Sequence, residues 1–316
     1  MAILNMINKI DKVAVCSRSF SNNPTLRKAL QKKYRKVKFN DDGVSLYGKN
    51  LIKFLDDSDK CIVGLENIDK IILNALPNLK TISKYGVGLD HIDTIFAKKL
   101  GKKVSFKPGI NKRSISELTL GLMISLLRDL RKINSDLVNN DWNSYVGYEL
   151  THKTIGIIGF GNIGQDLAKL LKPFNCKILY YDKLDVKNKS TNIKKTSLNT
   201  IAKKADIISI HIPLSKTTYN LIDKNFLNLM NSKSILINTS RGGIVNETDL
   251  YEVLKNKNIL SAASDVFIQE PTKNNKLLKL SNFFGLAHIG SMTKEAILKM
   301  GFAAIQGLDS EHVLSR

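Results

Sequence analysis

The sequence is poor in cysteine and contains no long apolar run. Its cysteines, Cys16, Cys61 and Cys176, lie far apart and form no CxxC pair, which argues against a disulfide scaffold or a zinc site and fits a reducing compartment. Every apolar run falls short of the roughly 18 residues that a membrane helix needs. The first residues also lack the apolar core of an export signal. We therefore expect a cytoplasmic protein with no metal site and no membrane partner.

Acidic residues are scarce as well, since 28 Asp and Glu stand against 49 Lys and Arg, for a formal net charge of +21. Of the basic residues, 41 are Lys and only 8 are Arg. Nucleic-acid binders concentrate their basic residues on one face or in one tail, whereas these lysines are spread from Lys9 to Lys299. We interpret the charge as a Lys-rich background and expect no nucleic-acid partner. A surface that binds polyanions is the alternative.

The length of 316 residues suggests two domains. Apolar runs rich in β-branched residues alternate with amphipathic segments, a pattern typical of βαβ units and parallel sheets. The sequence further predicts helices around 24–33, 68–76 and 92–100 and a long helix over 114–131. It also predicts a polar stretch at 139–153 that holds Trp142, and a last amphipathic segment at 294–308. The predicted strands form a first series (13–16, 37–40, 61–64, 81–83 and 103–106) and a second series (154–159, 177–181, 207–212, 234–238, 260–266 and 283–287).

A glycine-rich turn follows the first strand of the second series. Gly159, Gly161 and Gly164 form a GxGxxG pattern between that strand and a helical segment, which is the context of a dinucleotide-binding turn. Gly159 permits the tight turn, Gly161 lets the backbone approach a pyrophosphate, and Gly164 allows the helix to pack closely on the strand. Asp182 ends the next strand, where a carboxylate binds the ribose hydroxyls and repels a 2′-phosphate. We predict NAD rather than NADP, although the adjacent Lys183 weakens that preference; a purely structural turn is the alternative.

Three polar residues follow the last three strands of the second series, where ligands of open α/β sheets bind. Arg241 offers a guanidinium that can hold a substrate carboxylate. His288 can exchange a proton near neutral pH, and the carboxylate of Glu270 can orient that imidazole and favour its protonated form. Taken singly, each has an ordinary structural alternative, but together they indicate hydride transfer with acid–base assistance. His211 competes with His288 by position, and we expect it to line the adenosine side of the cleft.

Further motifs stand in a fixed order between about residue 75 and residue 301. They are KYGVGLDHID at 84–93, PGIN at 108–111, SELTLG at 116–121, the GxGxxG turn, NTSRGG at 238–243, DVF at 265–267 with EP at 270–271, and HIGS at 288–291. Through these motifs the chain resembles the D-isomer-specific 2-hydroxyacid dehydrogenases, and within them most closely the phosphoglycerate dehydrogenase branch.

The resemblance implies that Arg241, Glu270 and His288 are the catalytic set. It also implies that the substrate carboxylate binds backbone N–H groups around Gly86, Val87 and Gly88. Asp265 is expected to meet the nicotinamide carboxamide. The full set of implied cofactor contacts is Gly159, Gly161, Asn162, Ile163, Gly164, Asp182, Pro213, Thr239 and Asp265.

The fold that the resemblance implies consists of two doubly wound parallel-sheet α/β domains. A Rossmann NAD-binding domain (residues 108–289) is inserted into a discontinuous, flavodoxin-like substrate domain (residues 1–107 and 290–316). Family members are usually dimers through the NAD-binding domain, so we expect a homodimer in which the helix at 114–131 and the arm around Trp142 supply the contact.

The implied activity moves a hydride between the nicotinamide of NAD and C2 of a D-2-hydroxy acid or 2-oxo acid. The best single expectation is the pair D-3-phosphoglycerate and 3-phosphohydroxypyruvate, in serine biosynthesis. One departure concerns the loop at 63–66, which lacks the Arg that phosphoglycerate dehydrogenases often place there for the phosphate; Lys60, or another Lys, is the candidate substitute. The alternatives are a dehydrogenase of glyoxylate, hydroxypyruvate or a sugar-pathway acid, and an NAD-sensing protein like the corepressors of this family.

Overall fold

The computed structural model describes residues 9–186 and 191–309. They form two compact units: a first unit of the residues up to Asn111 together with those from Thr293 onwards, and a second unit of Lys112–Met292. The sequence analysis placed these divisions after residues 107 and 289. The parts of the predicted domains at residues 1–8, 187–190 and 310–316 lie outside the described residues.

The first unit is built on five parallel strands, all of which were predicted. They are β1 (Lys9–Val15), β2 (Tyr34–Phe39), β3 (Lys60–Val63), β4 (Thr81–Lys84) and β5 (Lys103–Ser105). The helices between them are α1 (Arg18–Ser21), α2 (Pro24–Lys33), α3 (Gly48–Leu55), α4 (Lys70–Ala75) and α5 (Thr94–Lys99). The sequence analysis missed α1 and α3; α3 follows Tyr47, whose side chain makes no capping hydrogen bond, so the usual signal for a helix start is lacking.

Both faces of this sheet are buried, as in parallel sheets that are covered by helices. Val13 and Val15 of β1 pack into one hydrophobic core, while Ala14 and the following Cys16 pack into the core on the opposite face. All four are at most 1% exposed. Burial on both faces explains why the end of β1 is a continuous apolar run in the sequence rather than an alternating one.

The strand order β2-β1-β3-β4-β5 is that of the flavodoxin-like sheet. The chain runs from β1 to β2 on one side and then crosses to β3 on the other, so the winding direction reverses between β1 and β3. Ser17 follows β1 at this point and Gly64 follows β3, and a Cβ added to Gly64 would lie 3.1 Å from Ser17 Oγ. Ligands of doubly wound sheets bind at such a reversal, beyond the carboxyl ends of the strands.

The second unit contains seven parallel strands in the order β12-β11-β10-β9-β6-β7-β8, a Rossmann sheet with one additional strand. The strands are β6 (Thr154–Ile158), β7 (Lys177–Tyr181), β8 (Ile193–Lys195), β9 (Ile207–Ile210), β10 (Ile235–Asn238), β11 (Ser261–Ser264) and β12 (Phe283–Gly285). The sequence analysis missed only β8, a three-residue edge strand with two lysines and no apolar run.

Six helices accompany these strands, with short 3-10 turns at Lys172–Phe174 and Lys276–Lys279. The helices are α6 (Lys112–Leu127), α7 (Leu130–Val138), α8 (Asn162–Leu171), α9 (Leu198–Lys204), α10 (Lys224–Asn228) and α11 (Glu247–Lys255). The single helix predicted over 114–131 is wrong, because the chain breaks between α6 and α7. Asp129 at the break has a φ of 48°, a left-handed conformation that Asp tolerates better than most residues. The apolar periodicity continues across the break and gives no sign of it.

The last helix, α12 (Lys294–Gly307), belongs to the first unit. Ser83 Oγ donates a hydrogen bond to the carbonyl oxygen of Ala304 at 2.7 Å, and Ser105 Oγ donates to that of Gly307 at 2.8 Å. A Cβ added to Gly307 would lie 2.3 Å from Ser105 Oγ, so this close approach requires glycine. The first unit is therefore discontinuous in sequence. No helix within the described ranges is long and apolar enough to span a membrane.

A buried lysine ties the loop after α4 to the start of β5. Lys102 is 6% exposed, and its Nζ donates to the carbonyl oxygens of Leu76 at 2.6 Å and Leu79 at 2.8 Å. We expect Lys102→Met to lower the free energy of unfolding by about 2–4 kcal/mol, because buried carbonyl groups lose their charged donor. Urea unfolding followed by circular dichroism measures the change. Lys103→Met, at the exposed neighbouring position, is the control. If Lys102→Met lowers the free energy of unfolding no more than Lys103→Met does, this role of Lys102 is contradicted.

Candidate active site

Three residues singled out in the sequence follow neighbouring strands of the second sheet. Arg241 lies in the turn after β10, Glu270 in the loop after β11, and His288 shortly after β12. Since β10, β11 and β12 are adjacent and parallel, their carboxyl ends share one edge. The structure brings two of the three into direct contact, with His288 Nδ1 at 2.6 Å from Glu270 Oε2. The charge of Arg241 acts on both of them.

The turn that carries Arg241 is organised by Asn238, a residue that the sequence analysis did not select. Its Oδ1 accepts hydrogen bonds from Ser240 N–H at 3.1 Å and Ser240 Oγ at 2.7 Å, and its Nδ2 donates to the Arg241 carbonyl oxygen at 2.9 Å. A Cβ added to Gly242 would lie 2.0 Å from the carbonyl oxygen of Phe267, so the turn also needs glycine. An Asn at a strand end before a Ser- and Gly-rich segment is a known turn signal and could have revealed this role.

Glu270 and His288 stabilise each other's charged form. The hydrogen bond with Glu270 raises the pKa of His288 above its ordinary 6.5, although burial opposes this. Burial also disfavours a charged Glu270, but the hydrogen bonds from His288 and from the Phe267 N–H, at 2.9 Å, outweigh burial and lower the pKa of Glu270. Because Nδ1 of the imidazole faces Glu270, Nε2 is the atom that can meet a substrate.

Asp265 fixes the segment that carries His288. Its Oδ1 accepts the N–H of Ile289 at 2.7 Å, its Oδ2 accepts the N–H of Gly290 at 2.8 Å, and its carbonyl oxygen accepts the N–H of His288 at 2.8 Å. The side chain is 1% exposed. Burial raises the pKa of Asp265, while the two N–H donors partly offset that effect. The expected partner was a nicotinamide carboxamide, but what holds this carboxylate in the structure is the backbone after His288.

The glycine-rich turn has the backbone geometry that its sequence predicts. Gly159 has a φ of 97°, and a Cβ added there would lie 2.6 Å from the His211 carbonyl oxygen; a Cβ on Gly164 would lie 2.3 Å from the Gly159 carbonyl oxygen. At Gly161, by contrast, no atom of the described residues lies within 4 Å of an added Cβ. Gly161 is the N-cap of α8 and has no side chain to bond the first N–H groups of the helix. An open glycine at a helix N-terminus fits a pyrophosphate.

Asp182 follows β7 as predicted and is tied to the same turn. Its Oδ2 accepts the N–H of Phe160 at 2.7 Å, and its Oδ1 accepts the N–H of Leu184 at 2.9 Å. The neighbouring Lys183 donates to Thr217 Oγ1 at 3.1 Å instead of pairing with this carboxylate in the bonds described. Asp182 is therefore oriented by the glycine-rich turn that it adjoins.

The remaining predicted cofactor residues lie along the carboxyl edge of the second sheet. Asn162 is exposed and Ile163 half-buried in the first turn of α8, and Pro213 is exposed after β9. Thr239 is buried after β10, and its Oγ1 lies 3.1 Å from Thr119 Oγ1. Its hydroxyl is thus engaged inside the unit, which leaves the backbone of Thr239 for a ligand.

His211 is a poor candidate for proton exchange. Burial lowers the pKa of His211 to about 3, so the imidazole is neutral near pH 7. Its Nε2 lies 2.9 Å from Ser209 Oγ, and its carbonyl oxygen faces the Gly159 turn. The structure therefore separates the two histidines at this edge: His288 has a raised pKa beside a carboxylate, and His211 is held neutral.

Gly86, Val87 and Gly88, the predicted substrate-binding residues, belong to the first unit. They are half-buried and follow β4 at the carboxyl edge of its sheet, and Gly86 has a φ of 130°. Lys84 at the end of β4 is 5% exposed, and its Nζ donates to the carbonyl oxygen of Gly64. Lys84 is the first residue of the motif at 84–93, and the sequence alone does not predict this buried contact.

Lys60 does not lie where a phosphate-binding residue was expected. It is the first residue of β3, at the amino edge of the sheet, whereas the loop that lacks the Arg follows β3 at the carboxyl edge. Its Nζ lies 2.9 Å from Asp11 Oδ2 and 2.9 Å from Asp309 Oδ1. The expectation that Lys60 substitutes for the missing Arg is wrong, because strand direction places Lys60 at the opposite end of β3.

Comparison with known proteins agrees with this geometry. The family model for the NAD-binding domain of D-isomer-specific 2-hydroxyacid dehydrogenases matches residues 120–290. The chain belongs to this family. It is an NAD-dependent D-2-hydroxyacid dehydrogenase with two parallel-sheet α/β domains, which confirms the predicted family, fold class and cofactor.

Relatives with several substrates are similar to this chain. A glyoxylate reductase of Thermofilum pendens is 40% identical over 273 residues, covering 82% of this chain and 80% of the relative. A hydroxypyruvate reductase of Thermotoga maritima is 34% identical over 296 residues, covering 92% and 96%. Phosphoglycerate dehydrogenases also match, but this chain spans less than half of their length. A solved D-isomer-specific 2-hydroxyacid dehydrogenase structure from Polaromonas sp. JS6 66 has a TM-score of 0.87 at 27% identity, covering 95% of this chain and 96% of that one.

The contact between Glu270 and His288 leads to a prediction about the pKa of His288. In Glu270→Gln the imidazolium loses its carboxylate partner, so we expect the pKa of His288 to fall below the wild-type value. Titration of the imidazole resonances by NMR measures the shift. Glu247→Gln is the control, because Glu247 accepts the N–H of Ile268 at 2.7 Å without bonding His288 in the contacts described. An unchanged His288 titration in Glu270→Gln would contradict the coupling.

Proposed function

We propose that this enzyme reduces short 2-oxo acids with NADH, and that hydroxypyruvate and glyoxylate represent its substrate class. The 2.6 Å contact between His288 Nδ1 and Glu270 Oε2 is the observation that carries the proposal. It favours the protonated form of the imidazole, and Nε2 is the ring nitrogen that does not face Glu270. Arg241, on the adjacent strand end, supplies the positive charge for the substrate carboxylate and the C2 oxygen.

The chemistry assigned to the residues follows from their charges. Bound NADH supplies the hydride that C2 accepts. His288 Nε2 donates a proton to the C2 oxygen in reduction and takes it back in oxidation. Glu270 holds the imidazole by Nδ1 and favours its protonated form, so reduction slows as the pH rises through the pKa of His288. The guanidinium of Arg241 stabilises the negative charge that develops on the C2 oxygen.

The residues that would hold the dinucleotide lie around the glycine-rich turn. Gly159, Gly161 and Gly164 shape the turn, and the N–H groups of Asn162 and Ile163 meet the pyrophosphate. Asp182 would bind the ribose hydroxyls, and the backbones of Pro213 and Thr239 would contact the rest of the dinucleotide. We assign Asp265 to the positioning of His288, because both of its oxygens accept N–H groups from the segment after His288.

Phosphoglycerate, the first expectation from the sequence, is less well supported than an unphosphorylated acid. The relatives that match over most of their own length include a glyoxylate reductase and a hydroxypyruvate reductase. Lys60, the proposed phosphate anchor, is paired with Asp11 and Asp309 at the amino edge of its strand. The NAD-sensing alternative is also weaker, since a purely binding role does not require the Glu270–His288 pair.

Reduction of hydroxypyruvate and glyoxylate is tested by following NADH oxidation over a panel of 2-oxo acids with and without phosphate groups. We expect turnover of both short acids, and we expect His288→Ala to lose at least about a thousandfold in kcat, because the proton donor is removed. NADH binding, measured by fluorescence titration, should remain near the wild-type level. His152→Ala removes an exposed histidine and is the control. Near-wild-type turnover by His288→Ala would overturn the mechanism, and no turnover on any acid would favour the NAD-sensing alternative.

We also propose that the second unit forms a homodimer. The segment after α7 exposes apolar side chains that a monomer would leave in water: Trp142 is 89% exposed and Val146 is 99% exposed. Val138, at the end of α7, is exposed as well. Contiguous exposed apolar patches mark interaction sites, and we assign this role to the segment after α7.

Sedimentation velocity tests the homodimer. The wild-type chain of 35.3 kDa should sediment as a dimer, and Trp142→Glu combined with Val146→Glu should sediment as a monomer, because charges would be buried in the contact. Ile71→Glu replaces an exposed apolar residue of the first unit and should leave the dimer intact. A monomeric wild type would refute the proposal.

The cysteines bear on the compartment in which the enzyme works, and the net charge bears on the ligands that it attracts. Cys16, Cys61 and Cys176 are all buried and free, which supports a reducing cytoplasm. A net charge of +21 attracts small anions such as 2-oxo acids and NADH.

A further inference from the structure

The carboxyl edge of the first sheet has a specific place for a ligand. Because the winding reverses between β1 and β3, the crevice of a doubly wound sheet opens there. Ser17 and Gly64 stand on its two sides, after β1 and β3. Gly86 stands one strand further, after β4, and the register pairs Val63 of β3 with Lys84 of β4. Adjacent strands are only about 4.8 Å apart, so a three-carbon substrate whose carboxylate binds at Gly86 is long enough to reach Gly64.

Two side chains of opposite charge bind Gly64. Glu66 Oε2 accepts its N–H at 2.6 Å, and Lys84 Nζ donates to its carbonyl oxygen. The same Glu66 oxygen would lie 3.6 Å from a Cβ on Gly64, on the side where Ser17 Oγ would lie 3.1 Å away. The Glu66 carboxylate therefore lies at the entrance of the crevice between β1 and β3.

The two charges are placed differently with respect to the ligand. Lys84 is buried, and a Cβ added to Gly86 would lie 3.5 Å from the Cε of Lys84. The end of the Lys84 side chain therefore lies beneath the segment at which we expect the substrate carboxylate to bind. Glu66 is half-buried beside Ser17 and Gly64, within reach of the distal end of a substrate bound at Gly86. The negative charge of Glu66 also acts on the interior of the unit: burial raises the pKa of Cys61, and the charge of Glu66 raises it further.

We propose that Glu66 is a specificity-determining residue that selects the group on C3 of the substrate. Its carboxylate accepts a hydrogen bond from a C3 hydroxyl group and repels a C3 phosphate. A hydroxyl donor to a carboxylate makes a strong, charge-assisted hydrogen bond, whereas two anions held a few ångströms apart in a partly buried crevice repel each other. The inference rests on the proposed function, because it concerns the same class of 2-oxo acids.

Glu66→Gln removes the negative charge of the side chain and keeps its shape. The amide oxygen of Gln can still accept the Gly64 N–H, so the fold of the loop is retained while the negative charge is lost. We expect the ratio of kcat/KM for 3-phosphohydroxypyruvate to kcat/KM for hydroxypyruvate to rise roughly tenfold to a hundredfold. Glyoxylate has no C3, and its kcat/KM should change by less than about threefold. If turnover of the phosphorylated acid is too slow to follow, its inhibition constant against hydroxypyruvate gives the same ratio.

Asp59→Asn is the matched control. Asp59 also belongs to the first unit, and its Oδ2 accepts the N–H of Lys12 at 2.9 Å, but it lies just before β3, at the amino edge of the sheet. This variant should leave the ratio unchanged. A ratio that moves less than about twofold in Glu66→Gln, or equally in both variants, overturns the assignment of Glu66 while 2-oxo acid reduction stands. A wild type that reduces none of the three acids overturns the proposed function and this inference together.

Discussion

Parallel pairing of β10 with β11, and of β11 with β12, is the constraint on which the catalytic geometry depends. Arg241, Glu270 and His288 stand apart in sequence, and they lie along one edge because three strands that run in one direction end there. The turns then fix each side chain: Asn238 bonds the turn that carries Arg241, and Asp265 bonds the N–H groups that follow His288. The sheet supplies the position, and these buried polar residues supply the orientation.

The same edge shows how burial and pairing act together on charge. Burial alone would raise the pKa of Glu270 and lower the pKa of His288, which disfavours the charged form of each group. Their mutual hydrogen bond reverses both tendencies. His211 shows the outcome without such a partner, since burial lowers its pKa to about 3. Two histidines at the ends of parallel strands of one sheet thus differ in chemistry because only one has a carboxylate beside it.

The sequence alone predicts features that depend on local chemistry. The GxGxxG turn, the acid after β7 and the polar strand ends are found where the sequence indicates, because glycine conformation and strand direction are local properties. Features that depend on distant partners were missed. The pairing of Lys60 with Asp309 joins β3 to the end of the chain, and Asp265 is held by backbone beyond β12. The break at Asp129 depends on backbone conformation, and an apolar pattern does not record it.

Strand direction also decides what each charge of the first unit can do. Lys60 and Glu66 flank the same strand, β3, but one precedes its buried residues and the other follows them. At the amino edge, a lysine can only stabilise the fold, and Asp11 and Asp309 engage it there. At the carboxyl edge, beside the crevice between β1 and β3, a carboxylate meets whatever ligand enters. The chain has a large excess of lysine, yet the charged residue beside this crevice is Glu66. Position along β3, and not overall composition, determines which charge the substrate encounters.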